Sequence, residues 1–173
     1  MKKRGKGDCH DRNTGRTEGK KLEGIGGWLV LVAIGIIASP IFMAAGLIQD
    51  VLPAFSGGTW ARLTEAGSPN YHPLWAPLLI MEVSGTSLFI LFSLVLLVLF
   101  FMKKMLVPRL VIIFLLANLA FVVIDYFLAM RIPLVASMPD ESTPTQIARQ
   151  AVSCAIWIPY FLRSKRVKNT FGK

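Results

Sequence analysis

The sequence predicts an all-α integral membrane protein with four transmembrane helices, both termini in the cytoplasm and a short helix on the membrane surface. Three observations predict this class: the composition, the length of the apolar runs and the placement of the basic residues. Hydrophobic residues make up 54% of the 173-residue chain and charged residues 17%, with a mean hydropathy of +0.56. The net charge is nevertheless +9. Because the basic residues collect at the chain ends and in one loop, no folded soluble region remains for a nucleic-acid-binding patch.

Four apolar runs are long enough to cross a bilayer, which requires about 20 residues per helix. The fourth run is the weakest, because Gln146, Arg149 and Gln150 lie in its first half. Its start nevertheless has a helix-initiating pattern, with Thr143 as the cap, Pro144 at the first helical position and Gln146 three residues after the cap. We therefore predict spans over residues of about 27–48, 78–102, 107–130 and 144–162.

The basic residues orient these spans. Eight lie in the N-terminal tail, three around the loop between the second and third spans, and five in the C-terminal tail, against three on the other side. The positive-inside rule therefore places both termini in the cytoplasm. If the fourth segment only lay on the membrane surface, the five C-terminal basic residues would be outside, so four spans fit better.

The segments outside the spans are a basic tail and two outer loops. Residues 1–23 lack hydrophobic periodicity and form a predicted disordered cytoplasmic tail ahead of a transmembrane domain over residues 24–171. In the first outer loop, residues 59–66 can form two turns of helix on the membrane surface. In the C-terminal tail, Lys165, Arg166 and Lys168 can contact anionic lipid headgroups, although a topology signal also explains them.

Each predicted span has one stripe of polar or small residues, as expected when four helices pack around a common interior. Three ionisable residues in these stripes, Glu82, Asp125 and Arg149, lie at one depth, roughly 6–10 Å inside the outer boundary. We expect Arg149 to pair with one or both carboxylates in an outward-facing polar pocket. The alternative is a buried ion pair that only fixes helix register. Nearby polar residues on the same stripes support the cluster, namely Thr86, Asn118 and Ser153.

The sequence contains no catalytic or cofactor pattern, and its one run of metal-ligand residue types, Asp8-Cys9-His10-Asp11, has no second cluster at ligand spacing. His10 lies in the tail and His72 is isolated in a loop, so no nucleophile and base are brought together. Cys9 is predicted to be cytoplasmic and Cys154 lies within the fourth span, so they cannot form a disulfide. We therefore expect neither an enzyme nor a cofactor-binding or metal-binding protein.

Motifs at the two ends of the apolar region resemble a known family. The first is Gly24-Ile25-Gly26-Gly27-Trp28-Leu29 followed by Ser39-Pro40, and the second is the long segment from Ile156 to Phe171, IWIPYFLRSKRVKNTF. Together they resemble the bacterial inner-membrane proteins grouped as domain of unknown function 2569, over about residues 22–171. The resemblance implies four spans in a bacterial inner membrane and no assigned activity.

Two function classes therefore remain. The first is a small transporter, channel or binding protein that holds a small or anionic ligand at Glu82, Asp125 and Arg149. The second is an accessory protein that binds lipid or another membrane protein, with those residues structural. A hydrated pocket open to the outside favours the first class, and charges locked together in a dry interior favour the second. A homodimer is compatible with either class.

Overall fold

The computed structural model describes residues 28–138 and 142–171, and within them the chain is helical, with no strand. The tail predicted to be disordered lies outside the described residues. The helices are α1 Trp28–Gly46, α2 Thr59–Thr64, α3 Trp75–Phe101, α4 Val107–Ala129, α5 Pro133–Ala136, α6 Ser142–Arg163 and α7 Lys165–Phe171. A π-helical turn, Leu47–Val51, and a 3-10 turn, Leu52–Phe55, extend α1.

Three helical segments of the described chain are long and apolar enough to cross a membrane: Trp28–Phe55, Trp75–Phe101 and Val107–Ala129. The helix α6 has 22 residues, which gives it a length of about 33 Å. It is less apolar than the other three, because of the polar residues in its first half, and does not meet the same criterion. The all-helical prediction is therefore confirmed for the described residues, and three of the helices are long and apolar enough to support a membrane protein. The fourth span and the orientation of the termini stay predictions.

The long helices pack in chain order, α1 against α3, α3 against α4 and α4 against α6. Their shared core lies at one end of the bundle, where α1 and α4 begin and α3 and α6 end. Leu29, Phe100 and Val107 are fully buried there. Helix α7 adds Phe171, whose ring centroid is 5.5 Å from that of Phe100. We call this the closed end of the bundle.

The α3–α4 contact extends toward the other end through aromatic side chains. The Phe89 and Phe121 rings lie 5.4 Å apart, edge to face. Phe121 also packs directly against the backbone of Gly85, where a Cβ atom would overlap the ring. Gly85 therefore permits the close approach of α3 and α4 at this level.

The opposite end of the bundle is more open. There α1 passes into its π-helical turn, and the following segment folds over so that the Phe55 and Trp60 rings stack at 4.9 Å. Trp60 belongs to α2, the short helix predicted in this loop, which ends at Thr64 rather than Ala66. This open end holds the polar residues that the sequence places at one depth.

Candidate functional site

A cavity of about 530 Å³ occupies the open end of the bundle. The walls come from α1 and its π-helical turn, from the first half of α3, from the second half of α4 and from the first turns of α6. Antiparallel neighbours bring these segments together, because α1 and α4 end where α3 and α6 begin. We call it the acidic cavity because three carboxylates line it.

Three carboxylates from three helical segments line the acidic cavity: Asp50, Glu82 and Asp125. Glu82 lies seven residues after the start of α3, and Asp125 four residues before the end of α4. At 1.5 Å per residue these positions are about 10 Å and 6 Å from the helix ends. Asp50 and Asp125 are both close enough to repel the charge of Glu82. The cavity therefore brings three carboxyl groups together within the depth of the apolar helices.

Local backbone geometry brings Asp50 to this site. It lies in the π-helical turn, and its Oδ2 atom is 3.6 Å from the point that a Cβ of Gly46 would occupy. The carboxylate therefore turns back along α1 over a residue that has no side chain. A π-helical turn within an α-helix often occurs at a functional site, because it rotates the following side chains onto a new face.

Asp125 carries a polar atom whose hydrogen-bonding capacity is unused. Its Oδ1 atom is buried, and it has no hydrogen-bond partner among the described residues. A buried carboxylate oxygen without a partner is costly in an apolar surrounding. The cavity beside Asp125 is the place from which a ligand, a cation or water can satisfy it.

Arg149 does not join these carboxylates. Its side chain is exposed and does not line the cavity, so the expected pairing with Glu82 or Asp125 is not seen in the described part of the chain. The neighbouring residues Gln146 and Gln150 line it instead. The reason is helical phase, because consecutive residues point about 100° apart and Gln150 takes the inward direction. The predicted depth and polar stripe of Arg149 did not fix the direction of its side chain.

The rest of the cavity wall combines hydrogen-bonding side chains with aromatic rings. Thr86 and Asn118 line it, as their stripes predict, together with the glutamines of α6. Three phenylalanines, Phe42, Phe89 and Phe121, also form part of the wall. The faces of such rings carry partial negative charge and attract cations.

A second cavity of about 210 Å³ lies against α1, α4 and α6, nearer the closed end. We call it the side groove. It shares four lining residues with the acidic cavity, namely Ser39, Met43, Asn118 and Gln150. Ser153, predicted to support the charge cluster, lines the side groove and not the acidic cavity. The remaining wall is mainly aliphatic and aromatic.

Several residues of the acidic cavity were outside the predicted cluster. Asp50 shares its stripe with Gly46 in the sequence, but an ideal α-helix gives no sign of the π-helical turn that directs it inward. Gln146 and Gln150 were visible only as polar residues that weakened the fourth span.

The residues predicted to contact lipid headgroups are described only in part. Lys168 is exposed on α7, while the side chains of Lys165 and Arg166 lie outside the described residues.

The carboxylates are not arranged as a metal site. No group of three or more His, Cys, Asp or Glu residues in the described chain is close enough to hold a metal ion. The cavity is also larger than a single ion requires. Its chemistry is that of a wide acidic pocket with aromatic walls, and no basic side chain among the described residues that line it compensates for the carboxylates.

Comparison with known proteins places the chain by family alone. No curated protein and no solved structure matches it. A family model does match, and it covers residues 22–172, nearly all of the chain outside the N-terminal tail. The resemblance carried by the two terminal motifs is thereby confirmed: the chain belongs to the family described as protein of unknown function DUF2569.

Proposed function

We propose that this protein binds a small organic cation in the acidic cavity, as a membrane transporter or binding protein. The observation that supports this most strongly is the set of three carboxylates on one cavity, with no basic residue among the described residues that line it. Ionisable residues within the apolar depth of a membrane protein are costly and usually serve a substrate, ion or proton pathway. A bound cation would offset the repulsion among the carboxylates.

The aromatic wall supports an organic cation over an inorganic one. Ammonium groups bind over aromatic faces with about 0.5–2 kcal/mol each, most strongly when water is excluded. Phe42, Phe89 and Phe121 line the same cavity as the carboxylates. A hydrated metal ion would use neither the rings nor the width of the cavity.

An anionic ligand, one of the two ligand types considered from the sequence, is not supported by this geometry. That expectation depended on Arg149 facing the pocket, and Arg149 is exposed outside it. An anion in the cavity would add to the repulsion among Asp50, Glu82 and Asp125. The proposal is therefore restricted to cations.

The proposed orientation has α6 as a fourth span, both termini in the cytoplasm and the acidic cavity facing outward across a bacterial inner membrane. The distribution of basic residues supports this orientation through the positive-inside rule. The packing of α6 along α4 supports a membrane location for α6. The ligand would then enter from the outer face.

The accessory role remains the second candidate, with a lipid or protein partner and the charged residues serving packing. It predicts charges that are paired in a dry interior. The unpartnered Asp125 oxygen and the 530 Å³ cavity favour the first candidate over it.

The test compares a cation with an uncharged molecule of the same shape. Purified protein in nanodiscs is titrated calorimetrically with choline and with 3,3-dimethyl-1-butanol, in which carbon replaces the ammonium nitrogen. We expect choline to bind and the alcohol to bind at least about tenfold more weakly, a difference of about 1.4 kcal/mol. Glu82→Gln and Asp125→Asn should each weaken choline binding about tenfold or more.

The matched control is Glu65→Gln, which removes a carboxylate from the exposed end of the α2 segment, outside the cavity. Its choline affinity should equal that of the wild type. Equal binding of choline and the alcohol, or choline binding that survives loss of both cavity carboxylates, would refute the proposed function.

A further inference from the structure

The side groove gives the acidic cavity an apolar continuation. The two share the wall residues Ser39, Met43, Asn118 and Gln150, so they meet along one boundary. The groove follows α6 from Gln150 to Phe161, eleven residues further along the helix. At 1.5 Å per residue this is a distance of about 16 Å. A molecule longer than choline can therefore occupy both spaces at once.

The chemistry of the walls changes along this path. Near the boundary the side chains are hydroxyls and amides, whereas the deeper wall is formed by residues such as Val32, Leu96 and Phe114. The polar end of the path is acidic and the other end is hydrocarbon. This change from an acidic wall to a hydrocarbon wall is complementary to a molecule with a cationic head and an apolar chain.

The groove is open to its surroundings. Leu31 and Gly35, which line it on α1, are both exposed. A Cβ atom built on Gly35 meets no other atom within 4 Å. Because these residues lie in an apolar helix long enough to cross a membrane, the groove would face acyl chains in a bilayer. An amphiphile can enter the groove sideways from the bilayer without its chain passing through water.

We infer that the ligand is an amphiphilic cation, held with its ammonium head in the acidic cavity and its alkyl chain in the side groove. Its head would lie near one end of the helices and its chain toward their middle, which is the orientation of a lipid in the leaflet on that side. A phospholipid is a poorer match, because its phosphate would lie beside the three carboxylates. The inference rests on the proposed function and adds the chemistry of the ligand's tail.

The experiment compares a long and a short cation on groove variants. Wild-type protein in nanodiscs is titrated with octyltrimethylammonium and with choline. Gly35→Leu fills the groove from α1, and Ser153→Leu fills it from α6. Ala120→Leu, an exposed position on α4 that lines neither space, is the matched control. Partitioning of the long cation into the lipid is the same for all four proteins and cancels from the comparison.

We expect either groove variant to weaken octyltrimethylammonium binding about tenfold, the effect of withdrawing roughly two methylenes from an apolar site. Choline binding should change less than about twofold, and Ala120→Leu should change neither. Two groove variants are used because a single one could distort its own helix, and retained choline binding shows that the acidic cavity is intact.

The outcomes separate this inference from the proposed function. If octyltrimethylammonium binds equally to wild type and to both groove variants, the tail does not lie in the groove, and the inference is wrong while choline binding still supports the proposed function. If neither cation binds to the wild type, both proposals fail.

Discussion

Glu82 is the residue whose substitution best distinguishes a binding site from a structural ion pair. In the free protein, the charge of Glu82 is disfavoured by burial and by repulsion from Asp125 and Asp50, and no described basic residue of the cavity compensates for it. We therefore predict that Glu82→Gln stabilises the ligand-free protein by about 1 kcal/mol. For a chain of this length, that corresponds to a rise of about 2–4 °C in Tm.

The measurement is thermal unfolding in detergent at pH 8, without added organic cations. Glu65→Gln, at an exposed position, should change the free energy of unfolding by less than about 0.5 kcal/mol. A large loss of stability in Glu82→Gln would instead indicate that Glu82 holds a structural bond. If Glu82→Gln gains stability and loses choline binding, it shows the trade-off between stability and function that is common at binding sites.

The sequence identified several of the residues that line the cavity, but not the direction in which every side chain points. Glu82, Asp125, Asn118 and Thr86 were found because each lies on a polar stripe of an otherwise apolar helix, and all four line the cavity. Arg149 was predicted to join them from its depth and from the stripe that it shares with Ser153, but α6 has polar residues on more than one face. Which of those faces turns inward depends on packing against α4, and local sequence does not encode that choice.

At the scale of elements, the contact between α3 and α4 depends on Gly85. A Cβ atom at this position would overlap the Phe121 ring, so Gly85→Ala must push the ring or the helix aside. Overpacking of this kind costs about 1–3 kcal/mol, against a gain of up to about 1 kcal/mol from the better helix propensity of alanine. We predict a net loss of stability and, because Phe121 lines the acidic cavity, weaker choline binding.

Thermal unfolding of Gly85→Ala beside Gly35→Ala checks this prediction. Gly35 is also within an apolar helix, but a Cβ there meets nothing within 4 Å, so its substitution should be neutral or stabilising. Adding Phe121→Leu should restore part of the stability that Gly85→Ala removes. If the two alanine variants behave alike, α3 and α4 are not in close contact at Gly85.

The elements themselves follow from the apolar runs, with differences at the ends that have physical causes. The helix α3 begins at Trp75, before the predicted residue 78, because Pro77 lies in its first turn, where a missing backbone N–H costs nothing. The chain after α1 stays helical to Phe55, through a π-helical and a 3-10 turn. Hydropathy periodicity assumes one helix geometry, so it could not reveal this change or the position it gives Asp50.

At the scale of the whole molecule, the bundle is packed at one end and hollow at the other. The closed end has most of the fully buried side chains and the helix α7, while the open end has the carboxylates and the cavity. The sequence indicates this asymmetry only indirectly, because its ionisable residues lie toward one side of the spans. The volume of the cavity depends on how far the helices diverge from one another. The residues of any single helix do not determine this distance.

Because the acidic cavity lies at one end of the bundle, the orientation of the bundle in the membrane decides from which side a ligand could enter. With α6 as a fourth span, we predict that the loop before α3 and the segment after α6 lie on opposite sides of the membrane, the former outside. Single cysteines at Ser68 and Ser164 would report this, in a background with Cys9→Ser and Cys154→Ala. In intact cells, a membrane-impermeant maleimide should label the cysteine at position 68 and leave that at 164 unlabelled until the cells are opened. Labelling of both cysteines in intact cells would mean that α6 does not cross the membrane. Labelling at position 164 but not at 68 would place the acidic cavity on the cytoplasmic side, where a cation would have to be taken from inside the cell.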